Sequence, residues 1–319
     1  MQAQSQPQSQ PPAFHFSDQV EHVLVTGATG FVGQHLVRAL IADRQHVTVL
    51  SRSPRKAIEL FGASVQAIRS MDELPSSTKI DVIINLAGAR ILGWRWTENR
   101  KAVLRQSRIG LTKGLTDWIA RVDHKPRQLF SASAIGYYGI QAQGDDRALA
   151  EDAAPQAIFM SELCQEWEKQ AQQATQCGVQ VTCMRFGLVL GQQGALPMML
   201  LPIKLGLGGA LGSGRQWFSW IHVDDILRAI GFLWGKQGDS LSINFCAPEA
   251  VSQLDFSKIA ASLLSRPCFM PTPGFPMKLM LGEQSDLLLE GQRVTPAYLL
   301  SQGYRFSYPD LRSALRSLL

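Results

Sequence analysis

From His22 to Gly33 the chain reads His-Val-Leu-Val-Thr-Gly-Ala-Thr-Gly-Phe-Val-Gly, an apolar strand that runs into three glycines and then into a helical pattern. No other stretch restricts the fold as sharply. Glycines at 27, 30 and 33 permit a tight turn and let the main chain approach a ligand closely. The free N–H groups and positive dipole end of the helix that follows favour phosphate charge. Val23-Leu24-Val25 suits a strand buried on both faces, Phe31, Val32, Leu36, Val37, Leu40 and Ile41 fall near helical spacing, and His46-Val47-Thr48-Val49-Leu50 supplies a second strand. Strand, glycine turn, helix and strand form the βαβ unit that cradles a dinucleotide. The spacing is Gly-x-x-Gly-x-x-Gly rather than the commoner Gly-x-Gly-x-x-Gly, so the surrounding pattern carries the assignment.

The alternation continues. Strands are expected at 64–68, 81–88, 128–133 and 179–185, with helices from about Thr97 to Ala120 and from Glu151 to Gln176. This is an α/β pattern, a Rossmann-type doubly wound parallel sheet, over residues 21–190. Ligands of such sheets bind outside the carboxyl ends of the strands, where Gly27, Ser51, Gly88, Ser133 and Arg185 fall. From about Gly191 the texture turns glycine-rich and proline-punctuated. Residues 191–319 are expected to form a smaller C-terminal α/β lobe on the substrate side, with short helices near 223–234 and 251–264. A strand at 242–246 lies between them, and the main sheet has room to recruit such later segments. A distinct final part begins at about residue 267, among prolines 267, 271, 273 and 276. Residues 1–20 open with a polar Gln- and Pro-rich stretch that reads as a disordered tail and not as a signal peptide.

Composition narrows the function classes. With 319 residues, 45% hydrophobic and 18% charged, the chain has enough apolar material for a sizeable core. Its most apolar stretch, 195–211, is broken by Lys204, prolines and glycines, so no membrane span is expected. Five cysteines without a Cys-x-x-Cys pair suit reduced thiols in the cytoplasm. The formal charge of +5 is modest, and the group Arg95, Arg100, Lys101, Arg105 and Arg108 around one helix reads first as a solvated face. Nothing requires nucleic acid. The expected partner is a small molecule of unassigned identity, with a homodimer left open.

Taken together, Thr26-Gly-Ala-Thr-Gly-Phe-Val-Gly33, Asn85-Leu-Ala-Gly88, Ser131-Ala-Ser-Ala-Ile-Gly-Tyr-Tyr-Gly139 and Trp220-Ile-His-Val-Asp-Asp225 resemble the extended short-chain dehydrogenase/reductase superfamily. Arg95-Trp96-Thr97 with Ser107-Arg108, Leu211 to His222, and Gly291-Gln-Arg-Val-Thr-Pro296 with Gly303-Tyr-Arg-Phe are similar to its YfcH-type "epimerase family protein" group, which carries a small C-terminal domain. The resemblance runs from about residue 21 to the end.

The cofactor is read from the end of the second strand. An acidic residue there grips a ribose 2′-hydroxyl, whereas a basic one accommodates a 2′-phosphate. Here the strand ends Leu50-Ser51-Arg52, with Arg55 and Lys56 nearby, which favours NADP over NAD; the plainer reading of Arg52 is a surface charge. The expected cofactor-binding set is Gly27, Thr29, Gly30, Phe31, Val32, Gly33, Ser51, Arg52, Leu86, Ala87, Gly88 and Ser131.

The resemblance also implies a Ser-Tyr-Lys catalytic set. Ser133 matches the serine, but where Tyr-x-x-x-Lys is expected the chain has Phe159-Met-Ser-Glu-Leu163. Phenylalanine has no exchangeable proton and leucine no charge. Substitute candidates are Tyr137, Tyr138 and Glu162, although the tyrosines read equally well as packing and Glu162 as a solvated helix residue; Cys164 shares that helix. Arg215, in a glycine-rich segment read as flexible, suits an anionic substrate group. Trp94, Trp96, Trp217 and Trp220 line the cleft or pack. Asp224 or Asp225 is expected to N-cap a helix, with His222 in a buried hydrogen-bond network. Two functions follow: an NADP-dependent oxidoreductase or epimerase, or an NADP-responsive regulator or scaffold without turnover, of the kind some relatives connect with cell division.

Overall fold

Apolar, β-branched runs that alternate with helices bury both faces only inside a parallel sheet, and seven strands do so here. In the computed structural model the described residues are 14–319 without Leu92 and Trp94, so most of the expected tail and the Trp94 assignment lie outside them. The order is β1 (His22–Thr26), α1 (Phe31–Ala42), β2 (His46–Leu50), α2 (Pro54–Phe61), β3 (Val65–Ile68), β4 (Val82–Asn85), α3 (Glu98–Arg105), α4 (Leu111–Arg121), β5 (Gln128–Ala134), α5 (Phe159–Gln172) and β6 (Gln180–Phe186). After these come β7 (Leu188–Leu190), α6 (Leu196–Lys204), β8 (Trp217–Phe218), β9 (Trp220–His222), α7 (Val223–Leu233), β10 (Leu241–Phe245), β11 (Val251–Ser252) and α8 (Gln253–Leu263). The chain closes with α9 (Gly274–Leu281), α10 (Asp286–Leu289), α11 (Ala297–Ser301) and α12 (Leu311–Leu318).

The sheet runs β10-β6-β5-β4-β1-β2-β3, every neighbour parallel. Strand order reverses between β1 and β4, so a crevice opens at their carboxyl ends. Side chains alternate between faces along each strand. Val25, Ile84 and Phe130 pack with α1 and α7, while Leu24, Ile83 and Leu129 pack with α4 and α5. A third cluster, including Leu200, Trp220, Phe256 and Leu315, joins α6, α8 and α12 in the C-terminal lobe.

The sheet takes in a later segment, β10, as an edge strand, and Leu299 and Tyr304 enter the first core cluster, so packing and hydrogen bonding both cross the 190/191 boundary. Other expectations change. The expected tail is anchored from its described end: Phe16 is buried, packs on Trp234, and donates its N–H to Asp43. Helix α5 starts at Phe159, not at 151. Pro155 disfavours helix in the residue before it, Ile158 is extended, and the Glu151 carboxylate accepts the N–H groups of Asn244 and Tyr298, holding this stretch against β10 and α11. The expected helix from Thr97 to Ala120 is present as α3 and α4 joined by a π turn, Gln106–Gly110, with Thr97 capping its start.

Candidate functional site

Gly27 ends β1 with φ +68, in the left-handed region. A Cβ there would stand 2.6 Å from the main-chain carbon and oxygen of Leu86, so the glycine turn lies directly on the end of β4. A Cβ on Gly33 would stand 2.3 Å from the Gly27 oxygen, which explains why the first turn of α1 folds back so tightly. Gly30 is the N-cap; no side chain caps it and no acid occupies the first turn. The helix start therefore offers main-chain N–H groups to an anion. Thr29 contributes its carbonyl to Gln34. Phe31 turns elsewhere: Cβ atoms at Gly191 and Gly194 would meet its ring at 2.3 and 3.0 Å, so it packs the turn against the loop after β7.

At the end of β2, Ser51 accepts the Ser53 N–H and donates to the Ser53 carbonyl, making a tight bend that leaves Arg52 exposed. Arg55 pairs with Glu59. Helix α2 begins here with Pro54, without a side-chain cap or an acid in its first turn, so the second phosphate-side corner is also electropositive.

Below the turn lies a buried polar floor. Thr26 donates to Asn85 (2.7 Å), Asn85 donates to Thr112 (2.9 Å) and Ser131 (3.2 Å), and Trp167 donates to Thr112 (3.0 Å). The Ala87 N–H is held by Thr26. Ser131, expected among the cofactor contacts, is fully buried with its hydroxyl in this floor. It shapes the crevice from beneath.

The candidate catalytic residues separate. Ser133, opposite Arg185 in the β5–β6 register, is buried and donates to Glu168 at 2.6 Å. Glu168 also takes both arms of Arg185 (2.8 and 2.9 Å) and the Ser242 hydroxyl. Burial works to lower the Arg185 pKa, but the bonds and charge of Glu168 outweigh it and raise it. Tyr138 is a correction: its hydroxyl lies inside, donating to Asn244 and accepting from Arg185, and burial pushes its pKa up to about 12. Glu162 is another. Its exposed carboxylate faces Arg105 across the helices, away from the buried Ser133 group. Tyr137 is half-buried beneath the Arg185 guanidinium, 3.5 Å from the ring centre, and its hydroxyl makes no hydrogen bond among the described residues. Leu163 sits in an apolar cluster with Trp96, Leu104 and Met160, and Phe159 packs at its margin. Cys164 is buried and its thiol pushed up to about 12.

No sequence motif marks Glu168. One signal was available: it falls on the same helix stripe as the buried Leu163, Cys164, Trp167 and Ala171, and a carboxylate on such a stripe needs partners.

His222 itself caps α7, accepting the Asp224 N–H, which corrects the aspartate expectation. Asp225 instead accepts the N–H groups of Ser307 and Tyr308 and the Tyr304 hydroxyl, tying the C-terminal segment to α7. The segment around Arg215 is pinned, not flexible: Gly212 bonds Thr272, Leu211 bonds Gln253, and Leu254 bonds Gly214. The Arg215 side chain is exposed, and no described contact joins it to the glycine turn. Trp96 and Trp217 donate to the carbonyls of Ile91 and Asp145, and Trp220 is fully buried, so these three pack. No group of three or more metal-ligating side chains occurs among the described residues, and no described helix is long and apolar enough to cross a membrane.

The chain matches known proteins over most of its length. Residues 23–244 match the NAD dependent epimerase/dehydratase family, and residues 272–318 a domain of unknown function, DUF1731. The chain is 39% identical to the epimerase family protein YfhF of Bacillus subtilis, over 93% of this chain and 98% of that one. It is 38% identical to the chloroplastic SDR39U1 homologue of Arabidopsis thaliana, over 93% and 86%. The crystal structure of human epimerase family protein SDR39U1 with NADPH superposes with a TM-score of 0.81 at 32% identity, over 93% of this chain and 98% of that one.

Proposed function

Since the chain belongs to the NAD dependent epimerase/dehydratase family, we propose that it binds NADP(H) across the carboxyl ends of β1, β2 and β4 and holds it without the acid–base relay of the wider superfamily. One observation carries the reading: the Gly27 turn lies against Leu86, where no side chain fits, beneath an uncapped helix start. Arg52, exposed at the end of β2, is the residue for the 2′-phosphate. The NADPH in the human relative supports the same choice. When bound, the nucleotide supplies a hydride. This chain's residues supply orientation and exclude water, through the cluster of Trp96, Leu104, Met160 and Leu163.

The missing relay favours a protein that responds to the nucleotide's presence or redox state. Ser133 directs its proton to the Glu168 carboxylate, which is already paired with Arg185, and Tyr138 is locked inside. The oxidoreductase or epimerase reading keeps one specific observation, the Tyr137 hydroxyl, which makes no hydrogen bond among the described residues.

Fluorescence titration with NADPH and NADH tests the first part. Arg52→Ala is expected to weaken NADPH by about tenfold or more and leave NADH unchanged, the worth of a charge-assisted hydrogen bond. Equal losses for both nucleotides would remove the 2′-phosphate assignment. NADPH absorbance followed across a panel of carbonyl compounds tests the second. Consumption that Tyr137→Phe abolishes would establish the enzyme instead.

A further inference from the structure

The π turn between α3 and α4 carries a buried cation with no anion to match it among the described residues. Arg108 is 6% exposed. Its Nη2 donates to the Ala89 carbonyl at 3.1 Å, while Nη1 reaches the Leu104 carbonyl and Ser107 hydroxyl only at 3.5 and 3.4 Å, and the guanidinium lies 5.2 Å from the Trp167 ring centre. The charged or titratable groups acting on it are Arg100, a second cation, and the Cys164 thiol, which burial keeps protonated. No carboxylate pairs with it among the described residues. The contrast with its neighbours is sharp: Lys101 pairs with Glu98 and Glu283, Arg105 with Glu162 and Glu166, and the other deeply buried guanidinium, Arg185, with Glu168.

Burial lowers the Arg108 pKa, but an arginine side chain does not give up its charge in a protein. A buried charge left unpaired is strongly unfavourable. Its position shows where a counter-ion fits. A Cβ on Gly88 would stand 3.1 Å from the Arg108 Cζ, so the guanidinium lies directly under the exposed main chain of Gly88. The two preceding residues, Leu86 and Ala87, are those the Gly27 turn touches. The charge thus reaches the crevice at the margin of the phosphate turn. The π turn widens the helix by one residue at this point, a device frequent at functional sites.

We propose that Arg108 is the cationic floor of an oxyanion subsite over Gly88, completed only when ligand is bound. The inference rests on the nucleotide reading above and deepens it. The ligand group is a phosphate or carboxylate, from either the dinucleotide's own pyrophosphate or an anionic second ligand lying beside it.

The test compares Arg108→Met, Arg108→Lys and the unaltered protein. A structural arginine destabilises the fold when removed. One awaiting a ligand does not, because an apolar side chain of similar length removes an unpaired buried charge. R108M is therefore expected to melt, without ligand, at or above the temperature of the unaltered protein, and, where the pyrophosphate is the anion, to bind NADPH about tenfold or more weakly. R108K keeps the charge but loses the planar fork, and is expected to bind NADPH more weakly than the unaltered protein and more tightly than R108M. If the pyrophosphate is the source, adenosine 2′-monophosphate, which lacks the 5′-phosphate, binds all three proteins alike. If a second ligand is the source, NADPH affinity is unchanged, but inorganic phosphate or a simple dicarboxylate raises the melting temperature of the NADP-saturated unaltered protein and not of R108M. R108M with the NADPH affinity and anion responses of the unaltered protein, or R108K as impaired as R108M, would overturn the proposal. Should the unaltered protein bind no NADPH, the nucleotide reading fails by itself, and anion stabilisation of the free protein then decides the subsite. Loss of that response in R108M would sustain it, and its absence from the unaltered protein would end it.

Discussion

Single atoms decide whether the crevice exists. At Gly33 a methyl group would meet main-chain oxygen at 2.3 Å and the Ala28 Cα at 2.7 Å, with no flexible side chain to yield. Gly33→Ala is accordingly expected to lower stability by about 1–3 kcal/mol, the usual cost of overpacking, and to weaken NADPH more than Gly114→Ala, where a Cβ meets nothing within 4 Å. Thermal melts and a fluorescence titration check both. Ser133 shows the opposite case, a residue whose type was legible and whose state was not. Its place at the end of β5 follows from the strand pattern, but the direction of its proton depends on Glu168, 35 residues away.

Elements explain why the catalytic pair cannot simply be restored. Helix α5 turns Leu163 inward, 1% exposed, against Trp96, Leu104 and Met160. Phe159→Tyr adds one oxygen at the cluster's margin and is expected to be tolerated. Leu163→Lys places an unpaired ammonium in an apolar cluster and is expected to cost about 3–5 kcal/mol. The double variant should thus melt well below the single Phe159→Tyr variant and gain no NADPH turnover; a double variant that is both stable and active would contradict this account. The sequence pattern located α5 but extended it eight residues too early. Its true start depends on the Glu151 strap, whose partners Asn244 and Tyr298 lie far along the chain.

Across the whole molecule, the C-terminal lobe is fastened through α7. His222 caps that helix, lies 3.9 Å centre to centre from the Tyr308 ring, and reaches Ser317 on α12. Burial lowers its pKa to about 4 from the ordinary 6.5. The unfolded chain then binds more protons between those values, so this stability is present above pH 6.5 and is lost as the pH falls toward 4, by up to about 3 kcal/mol. Denaturant midpoints measured from pH 7 to pH 4 should fall more steeply for the unaltered protein than for His222→Gln; parallel curves would show that the ring does not stay neutral. The sequence by itself determined the parallel sheet, the glycine turn and the basic end of β2, because each rests on neighbouring residues and on the periods of strand and helix. Only the tertiary structure decided which polar groups remain available. Ser133, Tyr138 and Asp225 acquire partners from distant strands and segments, whereas the buried Arg108 pairs with no carboxylate among the described residues. Pairing of that kind is set by folding distance and burial, neither of which a local pattern contains.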